Sequence, residues 1–436
     1  MRKGCNNKII YIIIVTLVLI EISSLFLMGK SLLNKNVSID EVVLENNNNS
    51  GEMFAILLEQ EDGEYEETDA TSWPNKDEYK YNISKSGCMD LKGEKIEGAL
   101  RFYRSTNKAS VEIQGAVSCY LFFDKIEPLV GDAYALLVED GDGVSFVFTR
   151  SETPYTTSDT YEGNTIINVY TGIETTSYSS STLPWYSDFA AYNYQVKKVE
   201  FKDIIRPKYI SWWFRGLNVE SFDVEKLDLS TTASASATFA GVTTSEIKGI
   251  EYWDVSNIVG MTSMFNGATI NADLDLSNWE TAKLSTISYM FSGAKINNLN
   301  LSGWDLSKVT NVSIFAQSAE LTNVDMSNWN LSSATDFSQM FKSAKFTNVN
   351  MSNWNVSSAT NTSSMFESAE INSDLGLSSW NVSSVTNMSG MFNQATINVD
   401  LDLSSWSVSN VTDHSNFINA VTGTGIITEP TWTITE

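Results

Sequence analysis

The sequence predicts a repeat solenoid preceded by small, mostly β domains and an N-terminal transmembrane segment. Two observations carry this fold class. A long apolar run stands near the start of the chain, and a Trp recurs every 25 or 26 residues through the last third. A fixed period of this size is typical of solenoids, whose units bury their apolar faces against their neighbours. The repeating residues are Trp253, Trp279, Trp304, Trp329, Trp354, Trp380 and Trp406.

Residues 9–28 form a nearly uninterrupted apolar run, long enough to span a bilayer. Arg2, Lys3 and Lys8 precede it, which predicts a cytoplasmic start and an exported remainder. We therefore expect residues 1–30 to anchor the protein at the cell surface, with the C-terminal bulk outside. A cleaved signal peptide and a secreted protein are the alternative.

The chain divides by composition and pattern. A polar linker follows the anchor, then two β-rich regions, and then the repeats. The predicted segments are 31–52 for the linker, 53–125 for a small β domain, 126–214 for a β-rich region that caps the solenoid, 215–247 for a degenerate repeat with Phe222 in the Trp position, and 248–436 for seven repeats.

Alternation and turn signals predict strands in both β-rich regions. Residues 53–70 have the pattern of a hairpin around an EDGE turn, and 133–150 have that of a second hairpin around DGDG. In an exported domain, Cys88 and Cys119 suggest a disulfide, and two buried free thiols are the alternative.

One repeat combines two periodicities. Apolar residues five and three places before the Trp, such as Leu299 and Leu301, predict a short inward-facing strand. After the Trp the spacing of Val385, Met388 and Met391 approaches that of a helix, which predicts a short helix or 3₁₀ turn. The Thr at position six, as in Thr386, would be its N-cap. Strands of successive units should pair in parallel.

The strict period favours a buried, stacked Trp in every coil over an exposed ring that stacks on sugars. The other side of the predicted strand is polar. It either hydrates the solenoid or forms a ligand face, since parallel stacking would align its groups about 4.8 Å apart. The candidate ligand residues are Asp273, Asp275, Asn298, Asn300, Asn323, Asp325, Asn348, Asn350, Asp374, Asp400 and Asp402.

Signatures of catalysis and cofactor binding are missing from the sequence. It has a single His, His414, and three Cys, too few for the usual zinc sites. It lacks the nucleophile elbow, the P-loop and the dinucleotide fingerprint. The formal net charge of −25 argues against nucleic acid and anionic lipid as partners. We therefore expect no enzyme activity, cofactor or metal, although a pair of carboxylates for glycan cleavage stays open.

The repeat closely resembles the BspA-type leucine-rich repeats of bacterial surface proteins. LDLSNW at 274–279, WNVSSVTNMSGMF at 380–392 and WDVSNIVGMTSMF at 253–265 carry the resemblance, which covers about 131–436. It implies an extracellular, leucine-rich-repeat-like solenoid with a role in adhesion to a protein or glycan. A structural spacer of the cell envelope is the alternative. Many relatives have Phe at the Trp position, and this sequence ends without an LPxTG-type sorting motif.

Overall fold

The computed structural model describes strands between Ser38 and Lys125 and the chain from 128 to 432 except 142, 180–181, 189–195, 348 and 350. The predicted anchor at 9–28 lies outside the described residues. No helix within the described part of the chain has the length and apolarity needed to cross a membrane. The chain forms two compact units, Met1–Leu129 and Val130–Glu436.

The first unit contains two antiparallel sheets, ordered β1-β2-β8-β4-β5 and β3-β7-β6. The hairpin predicted over 53–70 does not form, because β2 is already paired on both edges, by β1 and β8, and β3 pairs with β7. The strands are β1 Ser38–Leu44, β2 Met53–Gln60, β3 Gly63–Glu66, β4 Tyr79–Met89, β5 Lys95–Ile96, β6 Leu100–Tyr103, β7 Lys108–Ile113 and β8 Val117–Lys125.

Cys88 is fully buried and disulfide-bonded. The antiparallel register of β4 and β8 places it directly opposite Cys119. The predicted pairing of these two cysteines fits this register.

The second unit begins with the hairpin predicted around DGDG, in which Asp140 accepts a hydrogen bond from the backbone N–H of Gly143. Its strands up to the first repeats are β9 Asp132–Asp140, β10 Gly143–Ser151, β11 Thr160–Tyr161, β12 Asn164–Tyr170, β13 Val196–Phe201, β14 Ser221–Asp223, β15 Thr243–Thr244 and β16 Ile247–Lys248. All of these except β15 form one sheet, ordered β11-β12-β9-β10-β13-β14-β16.

The remaining strands are short, and each belongs to a coil of the solenoid. They are β17 Thr269–Ile270, β18 Leu274–Asp275, β19 Lys295–Ile296, β20 Leu299–Asn300, β21 Glu320–Thr322, β22 Val324–Asp325, β23 Lys345–Thr347, β24 Glu370–Ile371, β25 Thr396–Ile397, β26 Leu401–Asp402 and β27 Ile427–Thr428. Two 3₁₀ turns, Ile250–Tyr252 and Leu377–Ser379, accompany them.

The repeats form a β-solenoid with three parallel ladders. The first contains β15, β17, β19, β21, β23, β24 and β25. The second contains β18, β20 and β22, which begin at the apolar positions predicted to form a strand. The third is a column of single bridges that runs from Tyr209 through Asn311 to Asp413 and passes through nine coils.

A short helix or 3₁₀ turn was predicted after each Trp; no helix forms there in the described coils, and isolated turns take its place. In the coil of Trp253, Met264 donates its N–H to Met261 three residues back, whereas Ser263 and Phe265 donate to Ser288 and Met290 of the next coil. Bonds between coils thus replace the bonds that a helix would need. Positive φ angles at the tenth and fourteenth positions after the Trp, 58° at Ser263 and 67° at Gly267, also exclude helical geometry.

The Thr at position six is therefore not an N-cap. Its hydroxyl donates to the carbonyl of the equivalent Thr in the preceding coil, as from Thr412 to Thr386 and from Thr386 to Thr360, each at 3.1 Å. These bonds between coils stabilise the third ladder.

The Trp residues form a continuous stack through the core, as predicted. Each is at most 4% exposed. Neighbouring rings lie 5.4–6.5 Å apart with planes within 12° of parallel. Each indole N–H donates to the carbonyl three places before the preceding Trp, as from Trp304 to Leu276 at 2.8 Å. The indole nitrogen, the one polar atom of the side chain, is therefore satisfied inside the core.

The same bond corrects the register of the degenerate repeat. Trp253 donates to the carbonyl of Val224. By the rule of the other coils, the residue three places after Val224 occupies the Trp position. This residue is Leu227, which is buried, and Phe222 lies five places earlier, at the start of the strand position.

Aromatic side chains close both ends of the solenoid. At the start, Trp185 is fully buried against Phe148 and donates its indole N–H to the carbonyl of Trp213 at 2.8 Å. At the other end, Trp432 stacks on the exposed His414 with centroids 4.2 Å apart and meets Phe417 edge-on. The last coil is thereby covered by the segment that comes after it.

Candidate functional site

The outer side of the second ladder, which we call the short face, contains the predicted ligand residues. Their apolar neighbours point inward and are buried, as at Leu274, Leu276 and Leu299. Asp273, Asp275, Asn298, Asn323, Asp325, Asp374, Asp400 and Asp402 are exposed, and Asn300 is half-buried. Asn348 and Asn350 lie outside the described residues.

The residues four places before the Trp are engaged in turns. Asp275 accepts a hydrogen bond from the backbone N–H of Ser277 at 3.0 Å. In the same way, Asn300, Asp325 and Asp402 each accept from the backbone N–H of the Ser two residues later. In the coil of Trp380 the pattern shifts, and Asp374 accepts from the N–H of Gly376. This column of side chains therefore holds the corners of the coils together.

Three of the residues six places before the Trp form a different column, whereas Asp400 accepts a hydrogen bond from the backbone N–H of Ile426 at 2.9 Å. The amide of Asn323 donates to Asn298 at 2.9 Å, and the amide of Asn298 donates to Asp273 at 2.6 Å. The chain of bonds runs in one direction and ends on a carboxylate. Hydrogen bonds within the face thus orient these exposed groups, and the ladder gives them a fixed spacing of about 4.8 Å.

Turn bonds of this kind occur at three corners of a coil. Besides the corner before the Trp, Asn330 accepts from the N–H of Ser332 and Asp336 from that of Ser338. The sequence signal is the triplet Asp/Asn-x-Ser, which recurs three times in a repeat. Sequence reasoning treated only the first of these as a feature of the surface, and counting the triplets would have predicted three corners instead of a helix.

Hydrogen bonding affects the acidity of two corner carboxylates. The side chain and backbone N–H of Ser404 hold the pKa of Asp402 below its ordinary value. The backbone N–H and the side chain of Ser415 do the same for the pKa of Asp413. Both shifts favour the ionised, hydrogen-bond-accepting form in the folded chain.

The outer side of the first ladder, which we call the long face, was missed by the sequence analysis. It presents two columns of residues across the strands, one at the first strand residue of each coil and one two residues later. The first column is Asn218, Thr243, Thr269, Lys295, Glu320, Lys345, Glu370, Thr396 and Thr422. The second includes Ser245, Asn271, Asn297, Asn372, Asn398 and Thr424.

Within the described residues, no group of three or more His, Cys, Asp or Glu is arranged to hold a metal ion. The polar groups of the short face are spread along the solenoid instead of converging on a point. This arrangement suits an extended contact more than a chemical reaction at one centre.

Comparison with known proteins concerns the repeats. A family described as "Mycoplasma protein of unknown function, DUF285" matches residues 209–323, 233–352 and 313–425. These overlapping segments cover nearly all coils of the solenoid. Neither a curated protein nor a solved structure shows a significant match to the chain.

Proposed function

We propose that this protein is a non-enzymatic interaction protein of the cell surface, which binds an extracellular protein or glycan through the short face of its solenoid. The observation that carries the proposal is the oriented column of Asp273, Asn298 and Asn323. These groups are exposed, whereas the Trp, Met and Phe side chains of the repeats are buried in the core.

Rigidity supports the same conclusion. Because turn bonds and parallel ladders hold the coils in place, the polar groups are positioned before a partner arrives. A preorganised surface loses less conformational entropy on binding than a flexible one. Glycan hydroxyls and peptide groups both form hydrogen bonds with carboxylates and amides, which is the chemistry that this column offers.

The alternative function is a structural spacer of the cell envelope without a specific ligand. In that case the bonds between Asn323, Asn298 and Asp273 would serve only to keep the coils in register. Removing this column distinguishes the two functions, because only an interaction protein would lose a binding partner.

We expect the variant Asp273→Ala, Asn298→Ala, Asn323→Gly to lose partner binding. Glycine is chosen at 323 because Asn323 has a φ of 53°. Each lost hydrogen bond is worth about 0.5–1.5 kcal/mol, so the three together should weaken binding by about 10- to 1,000-fold. The measurement is the affinity of the full chain for hits from an array of glycans and extracellular proteins.

The matched control is Thr269→Ala, Asn271→Ala, Thr396→Ala on the long face, which should keep the affinity. Thermal unfolding should show both variants folded, because exposed substitutions change stability by about 0.5 kcal/mol each. Equal affinity of the short-face variant and the unchanged chain would contradict the proposed site. An array without any hit would favour the spacer.

We further propose that residues 9–28 anchor the protein in the membrane with the solenoid outside. Its support is the length of the apolar run and the basic residues before it. The resemblance of the repeats to BspA-type leucine-rich surface proteins points to the same location. If the segment is instead a cleaved signal, the mature protein is secreted.

Protease treatment of intact cells tests this location. The sequence contains neither Lys nor Arg after Lys345. Trypsin should therefore release a tag placed after Glu436 only on a fragment that includes all of 346–436. Full protection of the tag would contradict external exposure, and tagged protein in the medium without trypsin would indicate signal cleavage.

A further inference from the structure

The charged stretch of the long face is symmetric about its middle. It runs Thr269, Lys295, Glu320, Lys345, Glu370, Thr396, and the column continues beyond it to Asn218 at one end and Thr422 at the other. Read in reverse, this stretch again begins and ends with a Thr. The charged positions exchange sign. The midpoint lies between Glu320 and Lys345.

We propose that the long face is a self-association surface, on which a second copy of this chain binds in antiparallel orientation. A two-fold axis through the midpoint would place one column against the same column of the partner, in reverse order. Lys295 would then meet Glu370 of the second copy, and Glu320 would meet its Lys345. Such an isologous contact forms four ion pairs, so that each of the eight charges in the two copies has one partner.

The charges also select the orientation. If two copies packed with their solenoids parallel, each Lys would face its own equivalent and each Glu likewise, which is unfavourable. The rest of the protein opposes association, because the chain carries a formal charge of −25. The charged middle of the long face is neutral, since two Lys balance two Glu, and a second copy can approach there without net repulsion.

The charged side chains already have partners within the face. Glu370 accepts a hydrogen bond from the amide of Asn372 at 3.2 Å. Lys295 and Glu320 form an ion pair within the face at 3.3 Å, with side chains 58% and 50% exposed. An ion pair as exposed as this contributes only about 0–1 kcal/mol. Bonds to a second copy can therefore replace it at little cost. Lys345 is also exposed, and Glu370 is half-buried.

The size of the face predicts a weak dimer. Eight coils at about 4.8 Å give a length of about 35 Å, and the two columns lie about 7 Å apart. With the width of the side chains added on both sides of the columns, the contact is on the order of 400 Å² per copy, or about 800 Å² in total, which is smaller than a stable specific interface. We expect a Kd on the order of 10 µM to 1 mM, with strong dependence on salt.

Zero-length carbodiimide crosslinking of the full chain tests the register. Lys295 and Glu370 are three coils apart within one copy, which is about 14 Å and too far for a direct amide bond. A crosslinked peptide joining Lys295 to Glu370 can therefore form only between copies in the antiparallel arrangement. In the parallel arrangement Lys295 would face a second Lys295 instead. Absence of the Lys295–Glu370 peptide at high protein concentration would overturn the proposal.

Charge reversal gives a second test, by sedimentation at increasing concentration. Lys295→Glu with Lys345→Glu should be monomeric, as should Glu320→Lys with Glu370→Lys, and mixing the two should restore a dimer. The fourfold exchange Lys295→Glu, Glu320→Lys, Lys345→Glu, Glu370→Lys should associate with itself as strongly as the unchanged chain does. A mixed pair with the unchanged chain could form only with the solenoids parallel, where each Glu would face a Lys. All variants contain the same residues 1–37. Any association through that segment would therefore be the same in every variant and would not explain a difference between them.

The matched control is Lys283→Glu with Lys308→Glu, which makes the same change in net charge as the double Lys variant, at exposed positions off the face. It should still associate. Loss of association in this control would show that net charge is responsible, and failure of the fourfold variant to associate with itself would contradict the antiparallel charge pairing. These variants leave the short face intact, so their failure is distinguishable from failure of the proposed ligand binding.

Discussion

Trp329→Ala should destabilise the solenoid by about 3–5 kcal/mol, the range for truncating a large buried aromatic residue. Trp329 is 1% exposed. It stacks between Trp304 and Trp354, at 6.2 and 5.4 Å, and donates its indole N–H to the carbonyl of Leu301 at 3.1 Å. The substitution removes both stacking contacts and leaves a buried carbonyl short of a partner. Chemical unfolding followed by circular dichroism measures the loss.

The position in the stack should modulate this effect. Trp406→Ala is the control, since Trp406 stacks on a single Trp, Trp380, at 6.5 Å. We expect a smaller loss of stability for Trp406→Ala than for Trp329→Ala. In a solenoid a defect in a middle coil also weakens its neighbours, so hydrogen exchange should accelerate on both sides of the coil of Trp329. Unchanged stability of Trp329→Ala, combined with lost sugar binding, would instead show that the ring is a ligand platform.

Gly376→Ala should destabilise the protein by about 2–5 kcal/mol. Gly376 occupies the position that holds Asp or Asn in most other coils, and it has a φ of 71°. A Cβ at this site would lie 2.5 Å from the Cβ of Ser352 and 2.9 Å from its Cα, in the preceding coil. The left-handed backbone costs Ala about 1–2 kcal/mol, and relieving the overlap adds about 1–3 kcal/mol.

Gly163→Ala separates the two contributions. Gly163 also has a positive φ, 85°, but an added Cβ would have no neighbour within 4 Å. We expect a loss of about 1–2 kcal/mol there, from the backbone term alone. Equal losses at the two sites in thermal unfolding would show that close packing between coils does not constrain position 376.

The periodic features of the chain could be predicted from the sequence alone. The interval between Trp residues predicted a solenoid, and the alternation before each Trp predicted inward-facing residues such as Leu274 and Leu276, which are buried. Both depend on local pattern: a residue repeated at one position of a stacked unit meets its own equivalent in the next coil. The same logic predicted the buried Trp stack.

Other features depend on contacts between coils and were decided by the tertiary structure. The spacing after the Trp resembles that of a helix, but N–H groups such as that of Phe265 find carbonyls in the next coil. For the same reason, the predicted ligand residues fall into two groups. Asp275 is engaged at a corner, whereas Asn298 joins an exposed column. Sequence shows that both are polar, and only the path of the backbone shows which N–H groups lie within their reach.

The long face illustrates this limit most clearly. Lys295 and Glu370 are 75 residues apart in the sequence, and no local period links their charges. Parallel pairing of successive coils aligns them in one column, and the symmetry of that column exists only on the assembled surface. The sequence by itself determined that the chain stacks on itself and what fills its core. The tertiary structure decided which polar groups hold the corners and which form exposed columns on the outer faces.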